Sequence, residues 1–373
     1  MTKNKRPHLL LLSAYHAPSH KRWARGLIDF LGPHFEITLK TQPPRHFPWR
    51  SRGNSLFWAF DDELADLHPD LIVATSMVDL AGLKGMVPHL ATIPTAVYYH
   101  ENQFAYPTQD DRLNANLLVT NLYTALAADQ VLFNSPYNRD SMFEKADHFL
   151  DRMPDQIPGG VIDELRHHSQ VLPVPLENSL FVAPRVRHEP DLPRSPRIVW
   201  NHRWEHDKAP DRFFEALFDL HDEGLDFRLV VLGQRFRQAP PIFEEARQRL
   251  RDRIDHFGYV EDRETYLNWL RRGDLVVSSA LHEFQGLAVQ EAVVLGCRPV
   301  LPDRLAYPDF FDAPFLYPSH ADSAVDDRNA LKAHLRPLLQ SPQRLHQTPP
   351  PDLSHLSWKR LGERYLEELQ HLL

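Results

Sequence analysis

The chain has 373 residues, enough for two domains with cores that need no disulfide or metal staple. Lys and Arg number 42 against 50 Asp and Glu, a net charge of −8 that excludes a uniformly basic nucleic-acid coat, and the single cysteine, Cys297, excludes an intramolecular disulfide or a cysteine zinc site. No apolar run approaches the ~18 residues of a membrane span, and only Leu9–Leu12 follow the basic opening residues, so a cytoplasmic chain without stable membrane insertion is expected.

The first apolar segment, residues 8–15, reads as a strand. Residues 19–31 read as the helix after it, with Ser19 as N-cap and His20 and Lys21 in the first turn. Charge is uneven here. Residues 1–60 hold ten basic side chains against two acidic ones, +8, which leaves −16 for the other residues. A footprint for a polyanion explains this asymmetry, and so does a solvated face. Lys21, Arg22, Arg45, Arg50 and Arg52 are the cations best placed to meet RNA phosphates. Phe47 and Trp49 lie among them and suit unstacked bases, unless the rings are core and the arginines merely solubilise a Pro-rich loop.

Residues 71–75, 95–100 and 130–134 are further strand candidates, alternating with helical patterns. The second of them ends on His100, Glu101, Asn102 and Gln103, at the carboxyl end of a strand, where open α/β sheets bind ligands. The alternative is a structural histidine. Pro184, Pro190, Pro193 and Pro196 then crowd a stretch without periodicity, which suits a linker. A second series follows, with strands at 198–201, 227–232, 256–260, 275–279 and 298–301 and helices at 211–223, 241–251, 263–272 and 287–296. The expected organisation is a first domain over 1–185, a linker over 186–196 and a second domain over 197–350. A final helix within 351–373 follows Pro349-Pro350-Pro351 and is expected to cross back to the first domain. Both halves predict an α/β fold with a doubly wound parallel sheet.

Two groups in the second half could carry chemistry. Glu283 falls in a strand-to-helix loop, and Glu291 falls inside the helix that starts near Leu287. Gly286 between them lets a ligand approach the helix N-terminus, whose free N–H groups favour an anion. Carboxylates accept hydrogen bonds from sugar hydroxyls without covalent chemistry, so one loop-helix unit could hold phosphates and hydroxyls together. Spacing alone also fits a solvated pair beside an ordinary helix start. Arg203 and Lys208 follow the strand at 198–201 and could neutralise a departing diphosphate, unless they only pair with Glu205 and Asp207. No dinucleotide glycine loop, P-loop or nucleophile elbow is present.

The Glu-x7-Glu spacing and the Arg203/Lys208 pair resemble retaining GT-B glycosyltransferases of family-four type. More narrowly, Ser19-His20-Lys21, His100 to Gln103 with Tyr106-Pro107, Phe133-Asn134-Ser135, the block His202 to Lys208, and His282-Glu283-Phe284 are similar to the queuosine-tRNA mannosyltransferase family. These motifs run in order through most of the chain. The resemblance implies a GT-B fold of two Rossmann-like domains facing a cleft. It implies transfer of mannose from GDP-mannose to the cyclopentenediol of queuosine in the anticodon loop of tRNA(Asp). Arg203, Lys208, Glu283, Phe284, Gly286, Leu287 and Glu291 would bind the donor. Ser19, His20, Lys21, Glu101, Asn102, Gln103, Arg50 and Arg52 would face the acceptor. With no nucleophile motif, front-face attack is favoured: His100 orients the sugar, Glu283 fixes it, and Arg203 and Lys208 stabilise the leaving diphosphate without a metal. The chain departs from the family at Ala17-Pro18, where Gly-Gly is common, and at Gln285, where the wider family has an aromatic or apolar residue. Two rivals stay open from sequence: a glycosyltransferase for a lipid or polysaccharide, using 19–31 as a membrane-surface helix, and a non-catalytic RNA-binding relative.

Overall fold

Leu9–Leu12 form the middle of the first strand and are all fully buried. A run of apolar residues without alternation is what a strand covered on both faces requires. In the computed structural model, residues 5–106, 111–182, 195–236, 239–341, 343, 345 and 348–373 are described. From the amino end, the elements are β1 (His8–Ser13), α1 (Pro18–Leu31), β2 (Glu36–Thr41), α2 (Phe47–Ala59), α3 (Asp62–Ala65), β3 (Leu71–Thr75), α4 (Leu80–Met86), β4 (Thr95–Tyr99), α5 (Asp111–Leu126), β5 (Gln130–Phe133), α6 (Pro136–Leu150), α7 (Val161–His167) and β6 (Ser169–Val171). All pair in parallel in the order β2-β1-β3-β4-β5-β6.

The second series is α8 (Asn178–Val182), β7 (Arg197–Asn201), α9 (Pro210–Asp222), β8 (Arg228–Leu232), α10 (Ile242–Arg249), β9 (Ile254–Gly258), α11 (Arg263–Arg271), β10 (Leu275–Val277), α12 (Leu287–Val294), β11 (Arg298–Pro302), β12 (Leu316–Tyr317) and α13 (Ala324–Gln340). Its sheet is also parallel, in the order β12-β11-β10-β7-β8-β9. The order reverses between β7 and β10, and this switch point is where a doubly wound sheet opens for a ligand. The last helix is α14 (Trp358–Gln370).

The chain divides into two units, Met1–Pro175 with Leu356–Leu373, and Leu176–His355. Residues 186–194 of the expected linker lie outside the described residues. The division falls earlier than the expected end of the first domain, because α8 packs on α12 of the second unit. In the first unit α14 lies against α1 at close range. A Cβ on Gly26 would meet the Trp358 indole at 2.3 Å, and one on Gly362 would meet Phe30 at 2.4 Å.

Three local expectations are corrected. Ser19 does not cap α1: the helix begins at Pro18, with Ala17 in extended backbone at the N-cap and no side-chain cap. Proline pre-sets φ for the first helical turn, so the boundary moves one residue back. Trp23 and Leu27, large apolar residues of the segment 19–31 that the rival reading lays on a membrane surface, are 2% and 1% exposed and belong to the core. Arg50 and Arg52 stand on helix α2 and not on a Pro-rich loop. No helix among the described residues is long and apolar enough to cross a membrane.

Candidate active site

The carboxyl ends of β7 and β10 carry the two loops that bear Lys208 and Glu283. Backbone and hydroxyl bonds lock these loops together. Leu281 N–H donates to Asp207 O at 2.8 Å, and Ser279 Oγ donates to the carbonyls of Lys208 and Ala209 at 3.0 and 2.9 Å. The guanidinium of Arg304, paired with buried Asp327, donates to Ala280 O and Ser279 O. Lys208 is thereby drawn inward and is 7% exposed. Its Nζ donates to His282 O at 2.5 Å and lies 3.4 Å from Glu283 Oε2 and 3.3 Å from Asp207 Oδ2.

Glu283 is set between this ammonium and the start of α12. Its Oε1 accepts from Phe284 N–H at 3.1 Å. Burial alone would raise its carboxyl, but Lys208, the His202 ring and the backbone N–H groups of Gly286 and Gln285 outweigh it and hold it at about 2. Glu283 is therefore a fixed anion with acceptor capacity for hydroxyl donors. Gly286, the N-cap of α12, adopts φ 83°, which disfavours any side chain, and a Cβ there would also meet Tyr307 at 3.1 Å. Leu287 begins the helix, and Phe284 is buried edge-on to the His282 ring. Gln285 is buried, its Nε2 donating to Gln290 Oε1 at 3.1 Å while Gln290 Nε2 returns to Gln285 O. The departure at this position thus serves to brace the loop on α12.

Glu291, one turn into α12, is 4% exposed. Arg263, the first residue of α11, grips it with two bonds of 3.0 and 2.7 Å and lies 3.5 Å from Glu177. Sequence reasoning missed Arg263, which no spacing connects to Glu291. The N-cap Asp262 alone marks the helix start that aims it. Arg203 differs from Lys208: its side chain is half exposed, with Nη1 2.9 Å from Glu205 Oε2. Trp204 stacks flat on Phe243 at 4.2 Å and is core.

In the first unit, His100 directly follows β4 and is 9% exposed. His20 stacks on it at 4.2 Å, and Trp23 and Tyr98 close in at 4.8 and 4.7 Å. Asn134, after β5, donates to His100 O at 2.8 Å, while Ser135 caps α6 through Asn138 N–H. That is the local work of the Phe133-Asn134-Ser135 motif. Among the described residues no hydrogen-bond partner reaches His100 Nε2. Asn102 and Gln103 require correction as acceptor-facing residues. Asn102 is fully buried, donating to Asn138 and Ser141 and accepting from Ala105 N–H, and Gln103 is 3% exposed with Nε2 on Met77 Sδ. Both hold the loop that presents His100. Glu101 is partly exposed and Lys21 exposed. Arg50 donates to Gln42 Oε1 at 2.5 Å and Arg52 to Thr120 Oγ1 at 2.6 Å.

Burial and then neighbouring charge make these imidazoles hard to protonate. Burial and His16 lower His20 to about 4, burial and Lys208 lower His202 to about 4, and burial and His20 lower His100 well below the usual range. Each ring titrates near ~6.5 when unfolded. Between that pH and about 4 the unfolded chain takes up protons that the folded chain refuses, so stability present at neutral pH is lost on acidification. The melting temperature is expected to fall steadily from pH 7 to 4.5, and His20→Gln to flatten that fall. An equally steep decline in the variant would remove His20 as a source.

Known proteins match both units. A family model described as "tRNA-queuosine alpha-mannosyltransferase N-terminal" matches residues 8–176, and "Glycosyl transferases group 1" matches 195–339. The tRNA-queuosine alpha-mannosyltransferase of Drosophila melanogaster is 33% identical over 323 residues, covering 84% of each chain. The chain belongs to the tRNA-queuosine alpha-mannosyltransferase family. Within that family it is a glycosyltransferase of GT-B fold. Sucrose-phosphate synthase from Thermosynechococcus elongatus superposes with a TM-score of 0.70 at 14% identity, over 98% of this chain and 99% of that one. The UDP-forming alpha,alpha-trehalose-phosphate synthase of Burkholderia vietnamiensis gives 0.65 at 14%, over 100% and 98%. A GDP-mannose-dependent alpha-(1-6)-phosphatidylinositol dimannoside mannosyltransferase of Mycobacterium tuberculosis is 28% identical over 161 residues, 43% of this chain and 40% of that one.

Proposed function

We propose that the protein transfers mannose from GDP-mannose, with retention, to the cyclopentenediol of queuosine in the anticodon loop of tRNA(Asp), in the cytoplasm. The observation that carries this reading is the Lys208–Glu283 pair at the N-terminus of α12, a fixed cation and a fixed anion side by side at the switch point of a glycosyltransferase sheet. Family membership supplies the acceptor class, and the partial likeness to a GDP-mannose-dependent enzyme supports the donor.

In this mechanism the bond between the sugar C1 and the diphosphate oxygen breaks. The acceptor hydroxyl oxygen bonds to C1 from the same face, and its proton passes to the departing diphosphate. Lys208, Arg203 and the N–H groups at the start of α12 stabilise the negative charge that develops. Glu283 accepts from the sugar hydroxyls and Glu291 from the ribose, for which its grip by Arg263 must open or share. His100, neutral, orients the sugar through Nε2. Lys21 and Glu101 bear on the acceptor, and His20 acts by holding the His100 ring.

The test incubates the protein with queuosine-containing tRNA and a panel of sugar nucleotides, then digests the RNA and reads nucleoside masses. A gain of one hexose from GDP-mannose on tRNA(Asp) is expected, and no gain with any donor would overturn the reading. The same assay with EDTA is expected to retain activity, because two side-chain cations face the diphosphate. Complete loss restored by magnesium or manganese would refute metal independence.

A further inference from the structure

Helix α2 is built inside out. Its buried face is polar: Ser51, Asn54 and Ser55 are each at most 5% exposed. Asn54 Nδ2 donates to Met77 O at 3.1 Å, its Oδ1 accepts from Asp79 N–H at 3.0 Å, and Ser55 Oγ donates to Asp79 Oδ2 at 3.0 Å. Only Trp58 on that side is a large apolar core residue. The outward face carries the apolar bulk instead. Trp49 is 62% exposed, Leu56 46%, Phe57 58%, and Phe60, just past the helix end, 81%. At ~100° per residue these four fall on one stripe. Of the thirteen exposed large apolar side chains among the described residues, four are gathered in this one short segment, so they form a patch and not scattered singles.

The same geometry puts an arginine on each side of the stripe, Arg52 on one flank and Arg50 on the other. The side chains they donate to, Thr120 and Gln42, are neutral, so neither of these bonds sets a carboxylate against the guanidinium. The Trp49 indole lies over Gly53, where any Cβ would meet it at 2.5 Å. That close seat pre-orders the ring as a platform. The helix also begins beside the carboxyl edge of the sheet: Phe47 packs edge-on to Tyr15 at 5.7 Å, and His16 N–H donates to Gln42 O. The amino end of α2 is thereby held beside the edge that carries His20 and His100.

We propose that the outward face of α2 is a docking platform for single-stranded RNA, with unpaired bases stacked on Trp49 and Phe57 and phosphates held by Arg50 and Arg52. Exposed rings between cations suit splayed bases and a backbone at once, whereas a duplex offers its base faces to nothing. Charge agrees, since residues 1–60 carry +8 within a chain of −8. The proposal rests on the tRNA reading above and adds where the loop is gripped. A membrane surface and a second copy of the chain are the competing occupants.

The experiment compares the full-length wild type with Trp49→Ala/Phe57→Ser and with Arg50→Gln/Arg52→Gln. The probes are an unmodified 17-nucleotide stem-loop, its fully paired duplex counterpart, and phosphatidylcholine–phosphatidylserine vesicles. The aromatic variant is expected to bind the stem-loop at least about tenfold more weakly with an unchanged salt slope, the loss of stacking on one or two bases. The arginine variant is expected to lower the salt slope. For the aromatic variant, GDP-mannose hydrolysis in the absence of RNA and the melting temperature are expected to stay as in wild type. Photo-crosslinks from the loop are expected in the peptide around residues 49–60, and Trp49→Phe/Phe57→Tyr, which keeps both rings, is expected to restore binding. Equal stem-loop affinity in the aromatic variant, crosslinks elsewhere, duplex preferred to loop, a vesicle affinity that the variant alone loses, or a wild-type dimer that the variant dissolves would each overturn the platform. Absence of hexose transfer with stripe-dependent RNA binding intact would instead strike the transfer reading and leave the platform standing.

Discussion

Glu283→Gln is expected to reduce mannose transfer by roughly a thousandfold, the upper end of what one preorganised polar group supplies to a charge-developing transition state. The substitution removes the anion while leaving its shape. The amide can still accept from the N–H groups that begin α12, and Lys208 keeps His282 O at 2.5 Å and Asp207 at 3.3 Å. The melting temperature is therefore expected to change little, and kcat/KM measured with the folded variant checks the donor assignment. Near wild-type turnover would remove Glu283 from the site. Glu283→Ala is a poorer probe. A loop carboxylate that only binds ligand would carry little of the fold, but Glu283 is the partner of a buried ammonium. Breaking a fully buried pair costs about 3–5 kcal/mol, and the remaining Asp207 keeps the loss below that range.

Lys208→Ala and Arg203→Ala are expected to separate two contributions to one step. In the proposed mechanism each removes a cation that meets the leaving diphosphate, for which about 2.7 kcal/mol of barrier is the minimum expected. Lys208→Ala is expected to lose more, because Lys208 is buried and also holds the β10–α12 loop through His282 O. Its loss takes the ammonium from beside the half-buried Glu283 carboxylate and empties a buried site, so the melting temperature is expected to fall as well. Arg203 is half exposed and lies outside that frame, so Arg203→Ala is expected to slow turnover at constant stability. Initial rates and melting curves of both variants check this, and unchanged rates in both would sink the leaving-group role. Lys208→Met, which restores the apolar stem, distinguishes lost packing from lost charge.

The residues that were legible in sequence are those whose neighbours in the chain are also their neighbours in space. Glu283, Gly286 and Leu287 lie on one loop-helix unit, and a strand followed by Gly and a helix is a local pattern. Lys208 and Arg203 were visible for the same reason, as cations just after an apolar strand. The alternation of short buried strands with helices likewise announced two parallel sheets, since a strand covered on both faces reads as a plain apolar run. Asn102 and Gln103 misled because a polar crowd at a strand end looks alike whether it faces a ligand or pins a loop. Only the bonds to Asn138, Ser141 and Met77, each more than twenty residues away in sequence, decide between the two.

The sequence by itself determined the family, the parallel architecture and the loop-helix unit that bears Glu283, because apolar periodicity and short motifs depend on residues close together along the chain. Tertiary structure alone decided three things. It paired Arg263 with Glu291 across two helices. It stacked His20 on His100, so that burial keeps both rings neutral. It also turned α2 so that hydrogen bonds to Asp79 and Met77 hold Ser55 and Asn54 inside and leave Trp49 and Phe57 outside. The physical reason is common to all three. Which face of a helix is buried, and whether a charge meets its partner, depends on groups brought together by packing from distant parts of the chain, and no local pattern encodes that meeting.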